Sequence, residues 1–399
     1  MTMLTQQPLD YPAQQQLAAL PVTWVKTQED LFTLLDEIDA TDTIALDTEF
    51  IKRDTFFPIL ALIQVNTGQG IYLLDAPKLY LEEFWEVIRE VPTLVLHACG
   101  EDLGIYYLLS RLPTLTNVFD TQIGLGFLTG EGSLGYQKSL HETLDVHVDK
   151  AESQSDWLQR PLTAEQERYA ADDVRYLLPM FEVIQQQLTD QGLWQQALED
   201  CQSYTQELYD NFHTPDTELY LSVADFRDNP QQLAILQTLC EWREQLAKSI
   251  NKPRTFILRP QALREIIEKP PYSMKQLSFT SMKPNVIRMY GQEVLTLIDE
   301  VRKMDESDYP EVLPLPYRSL SSEVQAQLEA AIMQRSQYLA VGENILMRKK
   351  WLSELYAFTV ADTKPKLSPW LSGWRKEWVF ASLVPILQAV TLQATPPTP

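Results

Sequence analysis

Three short apolar segments follow one another between Thr43 and Asp75, and they constrain the fold more than any other feature of the sequence. They read TIALDTEF, ILALIQV and IYLLD, and turn-forming stretches containing Pro58 and Gly68 separate them. Segments of this length bounded by Pro and Gly are typical of β-strands joined as a meander. The region from residue 43 to residue 75 therefore predicts a three-stranded β-meander.

Helical and extended segments alternate after this predicted sheet. The segments LEEFWEVIRE, EDLGIYYLLS and TQIGLGFLTG have helical patterns, whereas TLVLHA and NVFDT are typical of strands. A longer helical stretch runs from Thr163 to Asn211, and Thr163 with Gln166 matches the capping box that begins many helices. Strands and helices that alternate after a meander predict an α/β domain.

Loop-like connections divide the chain into several parts. At 399 residues it exceeds one comfortable hydrophobic core, since about 150 residues per domain is common. Polar or Pro-rich connections at HTPDTELY and ESDYPEVLPLPYRS separate helical regions. We expect an N-terminal tail over residues 1–20, an α/β domain over 21–215, helical domains over 228–307 and 318–392, and a disordered tail over 393–399. Removing residues 228–399 is expected to leave a folded α/β domain.

Charge is distributed unevenly along the chain. The net charge of −22 at pH 7 argues, taken alone, against a nucleic-acid partner. Between Trp242 and Tyr290, however, ten Lys and Arg residues accompany three acids, so this basic segment is +7 and the remainder is −29. Basic residues beside aromatic ones are typical of contacts with phosphates and unstacked bases, and a basic solvated face is the alternative. The candidate contacts are Arg243, Lys248, Lys252, Arg254 and Arg259.

Cysteine content and hydropathy bear on the cellular compartment. Cys99, Cys201 and Cys240 are widely spaced and odd in number, so they form neither a disulfide framework nor a CxxC metal pair. The four histidines lack the spacing of a zinc site. The first 20 residues lack the pattern of a signal peptide, and no stretch approaches the ~18 apolar residues of a membrane span. We therefore expect a cytoplasmic protein without a membrane partner.

Asp47 and Glu49 end the apolar segment TIALDTEF. Side chains alternate along a strand, so these two carboxylates project from the same face. Buried like charges are costly unless a cation neutralises them, and the pair is therefore a candidate set of metal ligands. Acids that end a strand in solvent are also common, so the pair alone leaves a structural role open.

Asp102 follows the predicted strand LVLHA and lies at the start of a predicted helix. A carboxylate at this position can cap the helix or complement its dipole. It can also point into the crevice beyond the carboxyl ends of the strands, where α/β sheets bind ligands. Both alternatives stay open.

Tyr169 and Asp173 are four residues apart in ERYAADDVRYLL, so one face of a helix carries both. A phenol and a carboxylate can then meet at one point. Asp172 competes with Asp173 for this role, but it is turned by ~100° around the helix. We predict that Asp172 lies at the surface.

The order DTE, HACGED and YAADD resembles the DEDD exonuclease superfamily, in the subgroup with Tyr in its third motif. The stretch SDWLQRPLTAEQERYAADDVRYLLP closely resembles the ribonuclease D family. CEWREQLAKSINKPRTFIL resembles an HRDC domain, and LSGWRKEW resembles the second such domain of bacterial ribonuclease D. The resemblance covers roughly residues 21 to 390.

The resemblance implies an α/β RNase H-like exonuclease domain followed by two all-α helical-bundle HRDC domains. It makes Asp47, Glu49, Asp102 and Asp173 the ligands of two divalent cations, Mg²⁺ or Mn²⁺, and places Tyr169 near the attacking water. The implied activity is 3′–5′ exoribonuclease hydrolysis that releases nucleoside 5′-monophosphates. The implied partner is RNA with a free 3′ end, in particular tRNA precursors, and we expect a monomer.

Two other functions compete with this interpretation, a 3′ exonuclease acting on DNA and a nucleic-acid-binding scaffold without catalysis. The full set of five chemistry-bearing residues argues against the scaffold. The SDWLQRP stretch and the pair of HRDC-like regions favour ribonuclease D over a DNA exonuclease. Phe50 and Phe56 can stack on terminal bases, although aromatic residues beside a strand belong more often to the core.

Overall fold

The computed structural model describes residues 4–148, 155–313, 321–360 and 366–393. The chain divides into two compact units, and each is described here by itself. The first unit comprises Met1–Ile51, Leu60–Phe212 and Tyr317–Pro399, and the second comprises Lys52–Ile59 and His213–Pro316. The first unit is therefore built from segments that lie far apart in the sequence.

A six-stranded mixed sheet forms the centre of the first unit, in the order β1-β4-β3-β2-β5-β6. Strand β4 pairs antiparallel with β3 and parallel with β1, whereas β5 pairs parallel with both β2 and β6. The three strands predicted between residues 43 and 75 are confirmed as β2, β3 and β4. Strand β1 was not expected from the sequence. The strands are β1 Val22–Val25, β2 Thr43–Ile51, β3 Ile59–Asn66, β4 Ile71–Leu74, β5 Thr93–Leu96 and β6 Val118–Asp120.

Two apolar clusters cover the two faces of this sheet, and strand β2 contributes to both. Ile44 and Leu46 belong to one cluster, whereas Ala45 belongs to the other. Because side chains alternate along a strand, Asp47 and Glu49 lie on the same face as Ala45. The predicted capping box of Thr163 is confirmed at the start of α7. The helices around the sheet are α1 Tyr11–Ala18, α2 Gln28–Asp39, α3 Glu82–Glu90, α4 Gly100–Ser110, α5 Thr121–Thr129, α6 Tyr136–Leu144, α7 Ala164–Arg175, α8 Leu177–Asp190 and α9 Trp194–Phe212.

The C-terminal helices complete the first unit. They have a small apolar cluster of their own that includes Leu355 and Leu387, but Ile345 belongs to the cluster that also contains Phe127. The sequence predicted a separate helical domain over residues 318–392, whereas these helices group with the α/β part of the chain. The helices are α15 Ser322–Leu339, α16 Glu343–Leu346, α17 Lys349–Val360, α18 Pro369–Ser372, α19 Lys376–Trp378 and α20 Val384–Gln393, with a π-helical turn at Val379–Leu383.

A buried ion pair joins these C-terminal helices to α9. The Arg375 guanidinium donates two hydrogen bonds to the Asp200 carboxylate, and both side chains are almost fully buried. The same guanidinium donates to the backbone oxygens of Ile345 (2.7 Å) and Leu346 (2.9 Å), and the Trp374 indole donates to Asp200 at 2.8 Å. Such a network satisfies each buried charge through several hydrogen bonds, so removing one member leaves the others without compensation.

The second unit is a helical bundle around its own apolar core, which includes Leu239, Leu263 and Ile298. Its first helix begins with a capping box, in which Asn229 and Gln232 bond each other's backbone amides. The sequence predicted the first of two helical domains over residues 228–307, and the α-helices of this unit fall within that range. They are α10 Pro230–Ser249, α11 Arg254–Ile257, α12 Pro260–Glu268, α13 Met274–Leu277 and α14 Pro284–Val301.

The N-terminal segment differs from the tail that the sequence predicted. Residues 11–18 form helix α1, and the amides of Gln7 and Leu9 donate to the backbone oxygens of Thr143 (2.7 Å) and Leu144 (3.1 Å). A disordered tail was predicted over residues 393–399. Of these, residues 394–399 lie outside the part of the chain that the structure describes. Among the helices that the structure describes, none is both long enough and apolar enough to cross a membrane.

Candidate active site

Three of the predicted carboxylates converge at the end of strand β2. Carboxylate oxygens of Asp47, Glu49 and Asp173 lie within 4.8 Å of one another. Asp47 and Glu49 come from the strand, and Asp173 comes from helix α7. All three side chains are half-buried. Oxygen atoms at this spacing can share a hard divalent cation.

Asp102 lies in the first turn of helix α4, and its carboxylate accepts a hydrogen bond from the Thr48 hydroxyl. Thr48 lies on β2 between Asp47 and Glu49, so this bond brings the fourth predicted carboxylate to the same strand. Burial raises the pKa values of Asp47 and Glu49, and the charge of Asp102 raises both further. Of the two alternatives for Asp102, the structure therefore supports a position at the carboxylate cluster. No pattern in the sequence indicated that Thr48 bonds the Asp102 carboxylate.

Asp120 stabilises the turn at Ala98 and Cys99 that precedes α4, the helix of Asp102. The sequence did not identify this role. The Asp120 carboxylate accepts hydrogen bonds from the amides of Ala98 and Cys99, each at 3.0 Å, and from the amide of Gln122 at 2.8 Å. Ala98 has a φ of 57°, a left-handed conformation that is unfavourable for alanine and needs such support. The only sequence signal was an acid at the end of the predicted strand NVFDT.

Tyr169 lies one helical turn before Asp173 on α7, so its phenol lies on the same face of the helix as the Asp173 carboxylate. The Trp157 ring packs against Tyr169 with 5.9 Å between ring centroids. Arg160 holds this segment in place, since its guanidinium donates to the backbone oxygens of Trp157 (2.7 Å) and Ala61 (2.8 Å). The SDWLQRP stretch therefore supports the Tyr169 ring through the packing of Trp157.

Asp172 points to a different partner, as the helical spacing predicts. Its carboxylate accepts a hydrogen bond of 2.8 Å from the Arg175 guanidinium, and its backbone oxygen accepts one of 2.9 Å from the Tyr136 hydroxyl. The Asp172 side chain is about a quarter exposed. The assignment of Asp173 to the cluster thus agrees with the geometry of α7.

Burial and mutual repulsion raise the pKa values of the clustered carboxylates. Burial, followed by the charges of Asp47 and Asp102, raises the pKa of Glu49 to about 9. Burial raises the pKa of Asp102 to about 6 against the hydrogen bond from Thr48. The pKa values of Asp47 and Asp173 are raised as well, chiefly by burial and then by neighbouring carboxylates. Divalent cations would relieve this repulsion, so the donor set fits them.

The remaining predicted residues lie away from these carboxylates. Phe50 is half-buried and packs against the apolar cluster of Ile44 and Leu46. Phe56 belongs to the second unit, where it packs against the helical core and the Arg254 guanidinium lies 5.2 Å from its ring. Neither aromatic residue is among the groups that the structure brings to the carboxylates.

The predicted basic contacts have different environments within the second unit. Arg243 is buried and donates to the backbone oxygen of Leu258 at 3.1 Å, so no phosphate can reach it in this structure. Arg254 pairs with Glu244, and Lys248 pairs with Asp216 at 2.9 Å. Lys248 and Arg254 are nevertheless exposed, and the other exposed members of the basic segment are Lys252, Arg259, Lys269, Lys275, Lys283 and Arg288.

Comparison with known proteins agrees with the fold and the site. The family model for a 3′-5′ exonuclease matches residues 22–189, and the model for an HRDC domain matches residues 232–298. Ribonuclease D of Pseudomonas paraeruginosa is 33% identical over 380 residues, which cover 94% of this chain and 99% of that protein. Ribonuclease D of Serratia proteamaculans is 31% identical over 91% of this chain and 98% of that protein. The crystal structure of Escherichia coli RNase D has a TM-score of 0.85 and 27% identity, and covers 93% of this chain and 99% of that one.

The mixed sheet with its converging carboxylates, together with these matches, defines a 3′–5′ exonuclease whose fold implies divalent metal ions. An HRDC domain follows the catalytic fold. The chain belongs to the ribonuclease D family, and its activity is that of a 3′–5′ exoribonuclease.

Proposed function

We propose that the chain trims the 3′ ends of structured RNAs, tRNA precursors among them, one nucleotide at a time. The observation that carries this proposal is the convergence of Asp47, Glu49 and Asp173, with Asp102 tied to the same strand through Thr48. The Escherichia coli relative is described as an exoribonuclease involved in structured RNA processing. The substrate is RNA with a free 3′ hydroxyl, and the chain acts as a monomer in the cytoplasm.

The four carboxylates would hold two divalent cations, Mg²⁺ or Mn²⁺, because every donor is an oxygen atom. Such cations, when bound, make a water molecule more acidic and stabilise the negative charge on the leaving 3′ oxygen. Hydrolysis adds the water oxygen to phosphorus and a proton to the leaving oxygen. The products are a nucleoside 5′-monophosphate and an RNA shorter by one nucleotide.

Tyr169 orients the attacking water as a hydrogen-bond donor, which is the role expected in the Tyr-containing subgroup. Burial and the charge of Asp173 raise the pKa of its phenol well above the ordinary value. A phenol with a raised pKa stays protonated at neutral pH, so it donates a hydrogen bond and does not act as a base.

We expect Tyr169→Phe to lower kcat by roughly 100-fold, in the range for a positioned group in proton transfer, and to change RNA affinity little. The hydroxyl contacts the water and not the bound chain, so the loss falls on the transition state. Single-turnover hydrolysis and RNA binding of the purified variant measure the two effects. A rise in KM with an unchanged kcat would contradict this role.

The C-terminal helices form a second HRDC-like domain in this proposal. The support is a small core of their own, which includes Trp351, Leu355 and Leu387, together with the LSGWRKEW stretch. The domain bounds are those expected from the sequence, 228–307 and 318–392. This second domain stabilises the exonuclease fold through Arg375, which is a structural role distinct from RNA binding.

RNA docks on exposed cations of the second unit. Helix α13 packs against α14, since the Met274 sulfur lies close to Gly291. Exposed Lys275, Lys283 and Arg288 come from this part of the bundle, and Phe279, in the connection between α13 and α14, is 77% exposed. Cations bind phosphates and an exposed aromatic ring can stack on an unpaired base. We call this set of four residues the α13–α14 surface.

Reversing the three cations of the α13–α14 surface to Glu is expected to weaken binding of a tRNA-sized RNA and to flatten its salt dependence. Each lost phosphate contact lowers the magnitude of the slope of log K against log salt by roughly 0.7 to 0.9, so three contacts lower it by roughly 2 to 3. Fluorescence anisotropy across a salt series measures both quantities. Hydrolysis of very short single strands should change little.

The matched control reverses three exposed lysines of the first unit, Lys26, Lys349 and Lys376, which changes the net charge by the same amount. It should leave the slope near that of the native protein. An equal loss in both triple variants would assign the effect to overall charge, and an unchanged slope in the α13–α14 variant would remove this surface from RNA binding.

The activity itself is tested with matched RNA and DNA oligonucleotides in the presence of Mg²⁺ or Mn²⁺ and after chelation. The proposal requires metal-dependent release of nucleoside 5′-monophosphates from RNA, together with shortening of a tRNA precursor trailer. Preference for the DNA oligonucleotide would favour a DNA exonuclease. Binding without hydrolysis would favour a scaffold.

A further inference from the structure

Helix α6 ends in a turn that brings two histidines together outside the catalytic site. His141 lies in the last turn of the helix, and Asp145 ends it in a left-handed conformation with a φ of 56°. The chain then turns back, so His147 stacks on His141 with ring centroids 4.6 Å apart. The sequence spacing gave no indication of a metal site, because the turn and not the helical period creates this contact.

Ring nitrogens and a carboxylate oxygen converge at this turn. The Nδ1 atom of His141 lies 3.2 Å from Oδ1 of Asp145, and donor atoms of His141, Asp145 and His147 all lie within 4.8 Å of one another. Each of the three residues is exposed, so a cation can reach them and the side chains can adjust by small rotations. A cation is also favoured here by the negative end of the α6 dipole.

We propose that His141, Asp145 and His147 form a second metal site that binds a transition metal ion of the Zn²⁺ class. Two imidazoles and one carboxylate are a common set of three protein ligands for Zn²⁺, whereas Mg²⁺ prefers oxygen atoms alone. The site therefore differs in its chemistry from the oxygen-only cluster of Asp47, Glu49 and Asp173. Three protein ligands leave a further coordination position for water.

The N-terminal segment borders this site and supports its geometry. The Gln6 side-chain amide donates to the backbone oxygen of His141 at 2.5 Å and to Oδ1 of Asp145 at 3.5 Å. Such contacts to the atoms around a ligand restrict its orientation, as outer-shell hydrogen bonds do in metal sites. A bound cation would thus connect the end of α6 with the segment that docks on it.

Equilibrium dialysis of the full chain against Zn²⁺ in an excess of Mg²⁺ tests the site. The excess of Mg²⁺ occupies the oxygen-only cluster and does not compete for imidazoles. We expect the double variant His141→Ala and His147→Ala to bind one Zn²⁺ fewer per chain than the native protein. The matched control His213→Ala, at an exposed histidine of the second unit, should bind as many as the native protein.

A second variant, Asp145→Asn, keeps a residue that tolerates the left-handed conformation while it removes the charged ligand. It is expected to weaken Zn²⁺ binding by more than ~10-fold. Loss of an outer-shell partner already lowers metal affinity by at least ~10-fold, and Asp145 is a proposed ligand itself. Equal Zn²⁺ stoichiometry in the native protein and the double histidine variant would overturn the proposal. So would an absence of Zn²⁺ binding by the native protein in excess Mg²⁺.

Discussion

Asp47→Asn is expected to reduce RNA hydrolysis by more than ~100-fold, while the fold stays intact. Loss of an outer-shell partner of a metal ligand lowers activity by up to ~100-fold, and Asp47 is a predicted ligand itself. The substitution removes one of three carboxylates whose oxygens lie within 4.8 Å of one another. Release of nucleoside 5′-monophosphates in saturating Mg²⁺ measures the loss. Near-native hydrolysis by the purified variant would remove Asp47 from the site.

The same substitution is expected to stabilise the metal-free protein. Burial and the charges of Asp102 and Asp173 raise the pKa of Asp47 in the folded state, so the native carboxyl binds its proton more tightly than in the unfolded chain. Stability of the native protein therefore falls as pH rises above the unfolded value of ~4, and the asparagine variant lacks this contribution. Thermal unfolding in chelator should show a higher Tm for Asp47→Asn at pH 7 and a smaller difference near pH 4.

Asp172→Asn is the matched control for both measurements, because it makes the same chemical change one residue before Asp173. The Asp172 carboxylate bonds Arg175 and is not among the three clustered acids. We expect nearly native hydrolysis from this variant. Loss of hydrolysis in Asp172→Asn together with near-native hydrolysis in Asp173→Asn would mean that the assignment of Asp173 to the carboxylate cluster is wrong.

Arg375→Met is expected to destabilise the first unit by about 3–5 kcal/mol, the cost of breaking a buried ion pair by removing one partner. The Asp200 carboxylate would then be buried without its cation, with the Trp374 indole as a remaining donor. Urea unfolding monitored by tryptophan fluorescence measures the change. A loss below ~1 kcal/mol would mean that the pair behaves like an exposed one.

Two matched variants separate the charge effect from simple loss of packing. Adding Asp200→Asn to Arg375→Met removes the uncompensated charge and should restore part of the stability. Lys138→Met breaks exposed ion pairs with Glu131 and Glu142, and we expect it to change the stability little. No recovery in the double variant would assign the destabilisation to packing alone.

This pair also changes the result expected for a truncated chain. The sequence indicated that removal of residues 228–399 would leave a folded α/β domain, but that cut takes away Arg375 and the helices that group with the first unit. Asp200 and the apolar residues that pack against Ile345 would be left without their partners. We now expect such a fragment to be unstable.

Local patterns account for what the sequence predicted correctly. Alternation along β2 placed Asp47 and Glu49 on one face, the helical period separated Asp172 from Asp173, and the capping box marked the start of α7. Each depends on residues that are close in the chain. The ion pair of Asp200 and Arg375 joins residues 175 positions apart, and no local pattern reports such a contact.

Arg243 shows a signal that was present but not used. On helix α10 it lies four residues after Leu239, three after Cys240 and four before Ala247, all of which are buried. That spacing places the Arg243 side chain on the apolar face of the helix. The number of basic residues between Trp242 and Tyr290 contains no information on which side of the helix each one lies. It therefore included Arg243, whose guanidinium donates to the Leu258 backbone oxygen inside the bundle.

The first unit is built from three separate segments of the chain, and this has a consequence for synthesis on the ribosome. Asp200 emerges 175 residues before Arg375, and the larger segment of the second unit, His213–Pro316, is made in between. At ~5–20 residues per second this interval lasts roughly 9 to 35 s, during which the nascent exonuclease fold lacks its last helices and a buried acid lacks its cation. The second unit, in contrast, has every one of its segments available before translation reaches α15. The order of folding is therefore expected to reverse the order of the chain, with the HRDC domain complete before the catalytic domain that precedes it.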